Sequence, residues 1–168
     1  IDNKRINQSS NTYFIADIAA NHDGDIERAK DLIFSAAEAG ADAAKFQHFQ
    51  AKTIVSEFGF NNLKQNLAHQ KSWKKSVYKT YEEASVDLNW TETLVETCKK
   101  ANISFFTTPY SLEIIDYIDK YVPAYKIGSG DISWIELIRK IALKNKPYIL
   151  ATGASDISDV DLAVSTAL

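Results

Sequence analysis

Lys126-Ile127-Gly128-Ser129-Gly130-Asp131 gathers a cation, a hydroxyl and a carboxylate on one short stretch, with two glycines between them. The preceding Val122-Pro123-Ala124-Tyr125 reads as a short buried strand, so these polar groups stand where a strand ends. In parallel α/β proteins the carboxyl ends of strands are where ligands meet side chains and free backbone N–H groups. The lysine and serine suit a phosphate or carboxylate. The glycines let a ligand approach the backbone, and the aspartate offers acid–base chemistry. Alone the pattern is common, because a glycine-flanked lysine also simply ends strands.

Four other strand ends carry similar groups. Asp17, Asn21 and His22 follow or close the Tyr13–Ile18 run, Lys45 and Gln47 the Ala43–Gln47 run, Thr107 and Thr108 the Ile103–Thr107 run, and Ala151 and Thr152 the Tyr148–Gly153 run. Brought together, Lys45 and Lys126 flanked by hydroxyls make an anion site, and Asp17 and Asp131 could move protons or hold a polyol. A lysine closing an apolar strand is costly to desolvate unless an opposite charge balances it. That charge is either a bound anion or a neighbouring carboxylate such as Asp17 or Asp131. Plainer roles exist too: Asp17 as partner of a helix N-terminus, His22 bonded to a loop carbonyl. With no GxGxxG or GxxxxGK[ST] stretch, a small phosphorylated or carboxylated substrate fits better than a nucleotide.

Helical periodicity fills the gaps between these strands. Ile26, Ala29, Leu32, Ile33, Ala36 and Ala37 share one face of a helix that Gly40 stops. Asn89 and Glu92 have capping-box spacing ahead of Leu94, Val95, Cys98 and Ala101, and Ser133 and Glu136 repeat it around Ile135, Ile138 and Ile141. Ser111 opens a helix bearing Ile114, Ile115 and Ile118. A last helix begins near Ser155 or Asp156 and buries Val160, Ala163, Val164 and Ala167. Pro147 is tolerated as the opener of the fifth strand. Strand alternating with helix in this way implies a parallel sheet. The 49–88 stretch, with Trp73, Tyr78 and Tyr81, breaks the rhythm; it is either a functional, partly helical insertion or a solvated excursion with an aromatic cluster.

The 168 residues suffice for one domain with a sizeable core. Nineteen basic against 22 acidic side chains give a formal charge of −3, which argues against nucleic acid as a partner. No apolar run reaches membrane-spanning length. The single cysteine, Cys98, cannot form an internal disulfide, so a cytoplasmic location is expected. His22, His48 and His69 show no ligand-like spacing. The lack of methionine and an apolar helical pattern running up to Leu168 raise the expectation that the chain is a piece of a larger protein.

These motifs together resemble the sialic acid synthase family, whose members condense phosphoenolpyruvate with an N-acylated amino sugar. The resemblance rests on Ala16-Asp17-Ile18-Ala19-Ala20-Asn21-His22-Asp23-Gly24, Ala39-Gly40-Ala41-Asp42-Ala43-Ala44-Lys45-Phe46-Gln47, Thr107-Thr108-Pro109-Tyr110, Pro123 to Asp131, and Ala151-Thr152-Gly153, in that order from Tyr13 onward. It implies an α/β fold, a (β/α)8 TIM barrel, of which residues 1–168 would supply the first five βα units. The remaining strands and a small antifreeze-like domain would lie outside this chain. Lys45, Thr108, Lys126 and Ser129 match positions that hold phosphoenolpyruvate, and Gln47 a position facing the sugar. Asp17 and Asp131, with both lysines, match catalytic positions. A divalent metal, manganese or magnesium, would polarise the sugar aldehyde from ligands beyond this chain. The enol carbon then attacks, water adds, and phosphate leaves by C–O cleavage. The expected partners are phosphoenolpyruvate and an amino sugar, with a homodimer at full length and neither nucleic acid nor membrane.

Three departures stand out. The family pattern has glutamate at Asp17 and Asp131, and one methylene less withdraws each carboxylate by roughly 1.5 Å, which points to altered sugar preference. Ala151 replaces a frequent serine, and His48 a frequent threonine. Two other functions suit the same residues: a Schiff-base aldolase using Lys126, and a non-catalytic sugar-phosphate-binding module.

Overall fold

The computed structural model describes residues 1–63, 73–153 and 155–168; His69 lies outside them. In chain order the elements are β1 (Ile15–Ala19), α1 (Ile26–Glu38), β2 (Ala43–His48), α2 (Ala51–Ile54), α3 (Glu57–Asn62), α4 (Val77–Ala84), α5 (Thr91–Lys100), β3 (Ser104–Pro109), α6 (Leu112–Ile118), β4 (Tyr125–Ile127), α7 (Ile135–Ala142), β5 (Tyr148–Leu150) and α8 (Ile157–Ala167). Short 3-10 turns at Leu88–Trp90 and Ser129–Asp131 precede α5 and α7. β1, β2 and β3 form a parallel sheet in that order, and β4 and β5 form a parallel pair. β4 lies beside β3 with no ladder between them among the described residues. The fold is α/β with parallel strands.

Side-chain alternation divides each strand between two environments. On β2, Ala44, Phe46 and His48 face the helices, while Ala43, Lys45 and Gln47 point the other way. The helix-facing side is the main core: Phe46 and Phe105 stack with ring centroids 5.9 Å apart and join Ile33, Leu94, Ile115, Tyr125, Ile127 and Ile138. The opposite face carries a smaller cluster, Ala43, Phe106 and Ala124 with Tyr13, Ile15 and Ile149 packed against it. Polar side chains crown that second face at the carboxyl ends of the strands.

Local chemistry sets most of the element ends. Asp25 caps α1 by accepting from the Glu27 and Arg28 amides at 2.8 and 3.4 Å. At its other end Gly40 has φ +86°, where a side chain would be strained, and the Gly40 and Ala41 amides bond back to the Ala37 and Ala36 carbonyls. Ser111 caps α6 and α8 begins after Asp156, as expected, with the Asp156 amide donating to the Asp159 carboxylate at 3.2 Å. Two expected caps are different. Asp87, not Asn89, accepts at the turn before α5, because a 3-10 turn is inserted ahead of that helix. α7 begins after Trp134 without a side-chain cap, so Ser133 and Glu136 form no capping box.

Two burial expectations also need correction. Phe14 is 60% exposed, since the ordered ladder starts at Ile15 and β1 pairs on one side only among the described residues. Val164 is 44% exposed, because α8 turns Ala163 rather than Val164 into the core. The 49–88 stretch is partly helical and also carries an aromatic cluster. It contains α2, α3 and α4, and it builds an aromatic cluster in which Tyr81 meets Phe49 at 5.7 Å and Trp73 at 6.3 Å. Residues 64–72 of it lie outside the described residues.

Candidate active site

The carboxyl ends of all five strands converge on one cavity of about 420 Å3. Asp17, Lys45, Gln47, Thr108, Lys126, Ser129 and Asp131 all line it, together with Tyr110, Gly128, Gly130 and Ala151. These seven, the residues that the resemblance implied for catalysis and substrate binding, therefore reach the same space. A larger cavity of about 620 Å3 lies between α2, α4 and the turn before α5, lined by residues such as Lys52, Tyr78 and Glu82 and by none of these strand-end groups.

Register explains the convergence. Asp17 pairs with Lys45 in the β1–β2 ladder, and Gln47 with Thr108 in the β2–β3 ladder, so side chains of one parity leave the sheet on one face. The other parity leaves it on the helix side, which is why Thr107 does not join the site. Thr107 bonds His48 Nδ1 at 2.8 Å, and Thr91 closes the other side of that ring at Nε2, 2.9 Å away. Asn21 and His22 are also diverted. A register shift follows Asp17, and Ala19 takes a left-handed φ of +51°, turning the chain away from the cavity. His22 is buried edge-on against Trp90 and accepts from the Gly24 amide rather than meeting a loop carbonyl.

Two lysines and two carboxylates, partly desolvated, set the electrostatics of the cavity. Lys45 Nζ lies 2.7 Å from Asp17 Oδ1, with side-chain exposures of 12% and 60%. Lys126 donates to the Ile127 carbonyl. Burial pushes the Lys126 pKa below its ordinary value and the Lys45 charge adds to the fall, while Asp17 and Asp131 oppose it. Burial also raises the Asp131 carboxyl above its ordinary range, with Lys126 pulling the other way. An added Cβ at Gly128 would lie 3.1 Å from Asp131 Oδ2, so the glycine makes room for that carboxylate.

Tyr110 was not expected among the site residues. Its hydroxyl accepts from Gln47 Nε2 at 3.1 Å, and burial first, then the Asp131 and Asp17 charges, push its pKa up to about 12. The available signal was its place in Thr107-Thr108-Pro109-Tyr110, one position past the end of β3. Among the described residues no three His, Cys, Asp or Glu side chains gather so as to hold a metal ion. His22 and His48 are both buried away from the cavity, and burial, with a small contribution from His22, lowers the His48 pKa to about 4.

The chain belongs to the NeuB family, whose model matches residues 32–168. It is 36% identical, over 92% of its length, to the N,N'-diacetyllegionaminic acid synthase of Campylobacter jejuni, covering 46% of that protein. It is 32% identical to the spore coat polysaccharide biosynthesis protein SpsE of Bacillus subtilis, over 99% of this chain and 43% of that one. The chain thus spans about half the length of the curated relatives it matches. Among solved structures it superposes on the N-acetylneuraminic acid synthetase of Leptospira borgpetersenii with a TM-score of 0.82 and 27% identity, covering 99% of this chain and 53% of that one.

Proposed function

We propose that this NeuB-family chain supplies the first five βα units of a (β/α)8 barrel in a protein that condenses phosphoenolpyruvate with an N-acylated hexosamine. The product would be a nonulosonic, sialic-type acid, and phosphate would be released. The observation that carries this reading is the single cavity shared by Lys45, Lys126, Thr108 and Ser129, with Asp17 and Asp131 beside them. The relatedness to a synthase of N,N'-diacetyllegionaminic acid supports it.

In this reading the two lysines neutralise the phosphate and carboxylate of phosphoenolpyruvate, and the Thr108 and Ser129 hydroxyls fix its orientation. Charge-assisted hydrogen bonds of this kind contribute roughly 1.5–3 kcal/mol each. Asp17, which occupies Lys45 when no anion is bound, turns to the sugar hydroxyls once phosphate takes its place. Asp131 has the environment of a proton carrier: its raised pKa favours holding a proton, and Lys126 nearby favours releasing it. It would serve the sugar carbonyl oxygen as the new C–C bond forms. Gln47, anchored by Tyr110, faces the sugar. A divalent metal, manganese or magnesium, belongs to the proposal for the whole protein, with ligands from outside this chain. The remaining strands, an antifreeze-like domain, a homodimeric state and a cytoplasmic location belong to it likewise.

The test is to incubate the full-length protein with phosphoenolpyruvate, metal and a panel of N-acylated hexosamines. Release of inorganic phosphate should match formation of a 2-keto-3-deoxy acid. A second reading has one observation in its favour, the lowered pKa of Lys126, which suits an amine that forms a Schiff base. Trapping a pyruvate adduct on Lys126 with borohydride would establish that aldolase chemistry instead. Phosphoenolpyruvate binding without turnover on any sugar would point to a non-catalytic binding module.

A further inference from the structure

Tyr110 brings a phenol into the polar cavity, and the anchoring of Gln47 uses only half of it. The Gln47 amide nitrogen donates to the phenol oxygen at 3.1 Å, so the phenol's own proton is free for an acceptor. The side chain is fixed from three sides. The Tyr110 amide donates to the His48 carbonyl at 3.1 Å, the ring packs edge-on against Phe49 with centroids 6.0 Å apart, and Gln47 holds the oxygen. Gly128 shows where that oxygen faces. An added Cβ there would lie 3.9 Å from the phenol oxygen and 3.1 Å from Asp131 Oδ2, so the two groups border one gap that the missing side chain leaves open. Lys45 and Lys126 line the same cavity.

We propose that Tyr110 is a further catalytic residue, whose O–H donates to the acceptor's carbonyl oxygen in the gap beside Gly128 and stabilises the negative charge that oxygen gains as the C–C bond forms. The inference rests on the proposed condensation and assigns to it an electrophilic group on this chain. The enol π pair of phosphoenolpyruvate makes the new bond, the carbonyl π pair passes to the oxygen, and the Asp131 carboxyl supplies the proton that the oxygen keeps. Water adds to the cation left on the phosphoenolpyruvate carbon, and its proton restores the Asp131 carboxyl. Phosphate then leaves with the C–O pair and the hydroxyl proton as the ketone forms. Tyr110 keeps its own proton throughout. Burial and the two carboxylates, which push its pKa up to about 12, make the phenol a donor that does not ionise at neutral pH. A donor fixed in advance where charge develops, in a cavity partly closed to water, contributes about 100- to 1,000-fold in kcat. A hydroxyl that only braced Gln47 would act on sugar binding instead.

The experiment uses the full-length protein with phosphoenolpyruvate, metal and N-acylated hexosamines, and follows phosphate release. Tyr110→Phe keeps the ring and its packing on Phe49 and removes only the oxygen. Its kcat should fall by about 100-fold. Acceptor KM should hold near its unaltered value, as for an interaction made only in the transition state. Unchanged phosphoenolpyruvate affinity by calorimetry shows that the variant is folded. A second variant, Tyr110→difluorotyrosine, has nearly the same shape and a more acidic phenol. A phenolate cannot donate, so this variant should lose kcat on the alkaline side at a lower pH than the unaltered protein does. If Tyr110→Phe unfolds, the fluorinated variant alone decides. Full kcat in Tyr110→Phe, or one pH profile shared by the fluorinated and unaltered proteins, overturns the role of Tyr110 and leaves the condensation standing. A loss confined to acceptor KM assigns the hydroxyl to bracing Gln47 and overturns it as well. Absence of phosphate release from the unaltered protein with every sugar overturns the condensation, and the catalytic role of Tyr110 with it.

Discussion

Asp17 and Lys45 face one another across the β1–β2 ladder, and their side chains meet at 2.7 Å inside the polar cavity. The carboxylate occupies Lys45, one of the two lysines that would neutralise the anion in the proposed function. An incoming phosphate must therefore displace Asp17 from Lys45. A half-exposed ion pair is worth roughly 0.2–1 kcal/mol, so Asp17→Asn should tighten phosphoenolpyruvate binding by about 2- to 5-fold while lowering turnover. Calorimetric titration of the full-length variant checks this. Weaker binding would mean that Asp17 positions Lys45 for the ligand instead of competing with it.

Lys126 has no carboxylate partner at ion-pair distance among the described residues, and burial makes its charge costlier to hold than in water. Lys126→Ala should weaken phosphoenolpyruvate binding by about 10- to 100-fold, the loss of one charge-assisted contact. The same lowering gives a pH signature. The cation exists below the lysine's pKa, so anion affinity should fall as pH rises through a value below the ordinary 10.5. Titrations from neutral to alkaline pH should show this fall in the unaltered protein and lose it in the alanine variant.

Burial makes the charged form of Asp131, like that of Lys126, costly to the fold. Its folded pKa lies above the ordinary 3.8 because burial penalises the carboxylate. A group raised in this way stabilises the fold only at low pH, and the benefit is lost as pH rises through the folded pKa. At neutral pH the buried Asp131 carboxylate is therefore a cost to the fold. Asp131→Asn should raise the melting temperature at pH 7, with the gain shrinking as pH approaches the ordinary carboxylate range, while condensation is lost. A variant that melts lower at pH 7 would show that the carboxylate is held by favourable contacts.

The polar cavity was legible because each strand ends on a short motif, and period-two alternation carries Lys45, Gln47 and Thr108 to one face without further information. Thr107 and His48 sit one residue from cavity-lining positions and fall on the other face for the same reason. Asn21 and His22 were misplaced because a register shift and one left-handed alanine at the end of β1 leave no distinctive mark in the sequence. A neighbouring cavity of about 410 Å3, which shares Gln47, Tyr110 and Asp131 with the polar one, was hidden for a different reason. Phe49, Phe60, Tyr81, Tyr110 and Trp134 come from separate elements, and only the packing of three short helices brings them together. The caps at Asn89 and Ser133 had the right spacing, but a 3-10 turn before α5 and another two residues before Ser133 shift the helix starts that spacing alone would place.

His48 predicts a stability change with no effect on the anion site. Its ring is buried between Thr91 and Thr107, and its pKa is lowered to about 4 from about 6.5. Neutral in the fold, it must gain a proton when the chain unfolds below about pH 6.5, so stability falls as pH drops from there toward 4. The gap corresponds to about 3 kcal/mol. His48→Gln keeps polar atoms for both threonines and removes the titration. Denaturant midpoints measured at pH 7 and pH 4.5 should differ less in the variant than in the unaltered protein. An equal difference in both would assign the acid sensitivity elsewhere.

The last prediction concerns residues 1–168 produced alone. A closed (β/α)8 barrel takes about 250 residues, and its interior layers draw side chains from alternate strands around the whole ring. Among the described residues the cluster that would face the interior of the proposed barrel is Ala43, Phe106 and Ala124 with a few half-buried neighbours, far smaller than the cluster beneath the helices. β1 and β5 each pair on one side only among the described residues, and the outer surface of α8 leaves Ile157 75% exposed and Val164 44% exposed. Open strand edges and uncovered apolar helix faces are sites of association between chains. The isolated segment should therefore self-associate in sedimentation at micromolar concentration and release no phosphate from phosphoenolpyruvate, while the full-length protein does both less and more, respectively. A monomeric, cooperatively unfolding and active 168-residue protein would show that five βα units suffice, and would remove the reason to assign the rest of the site to other strands.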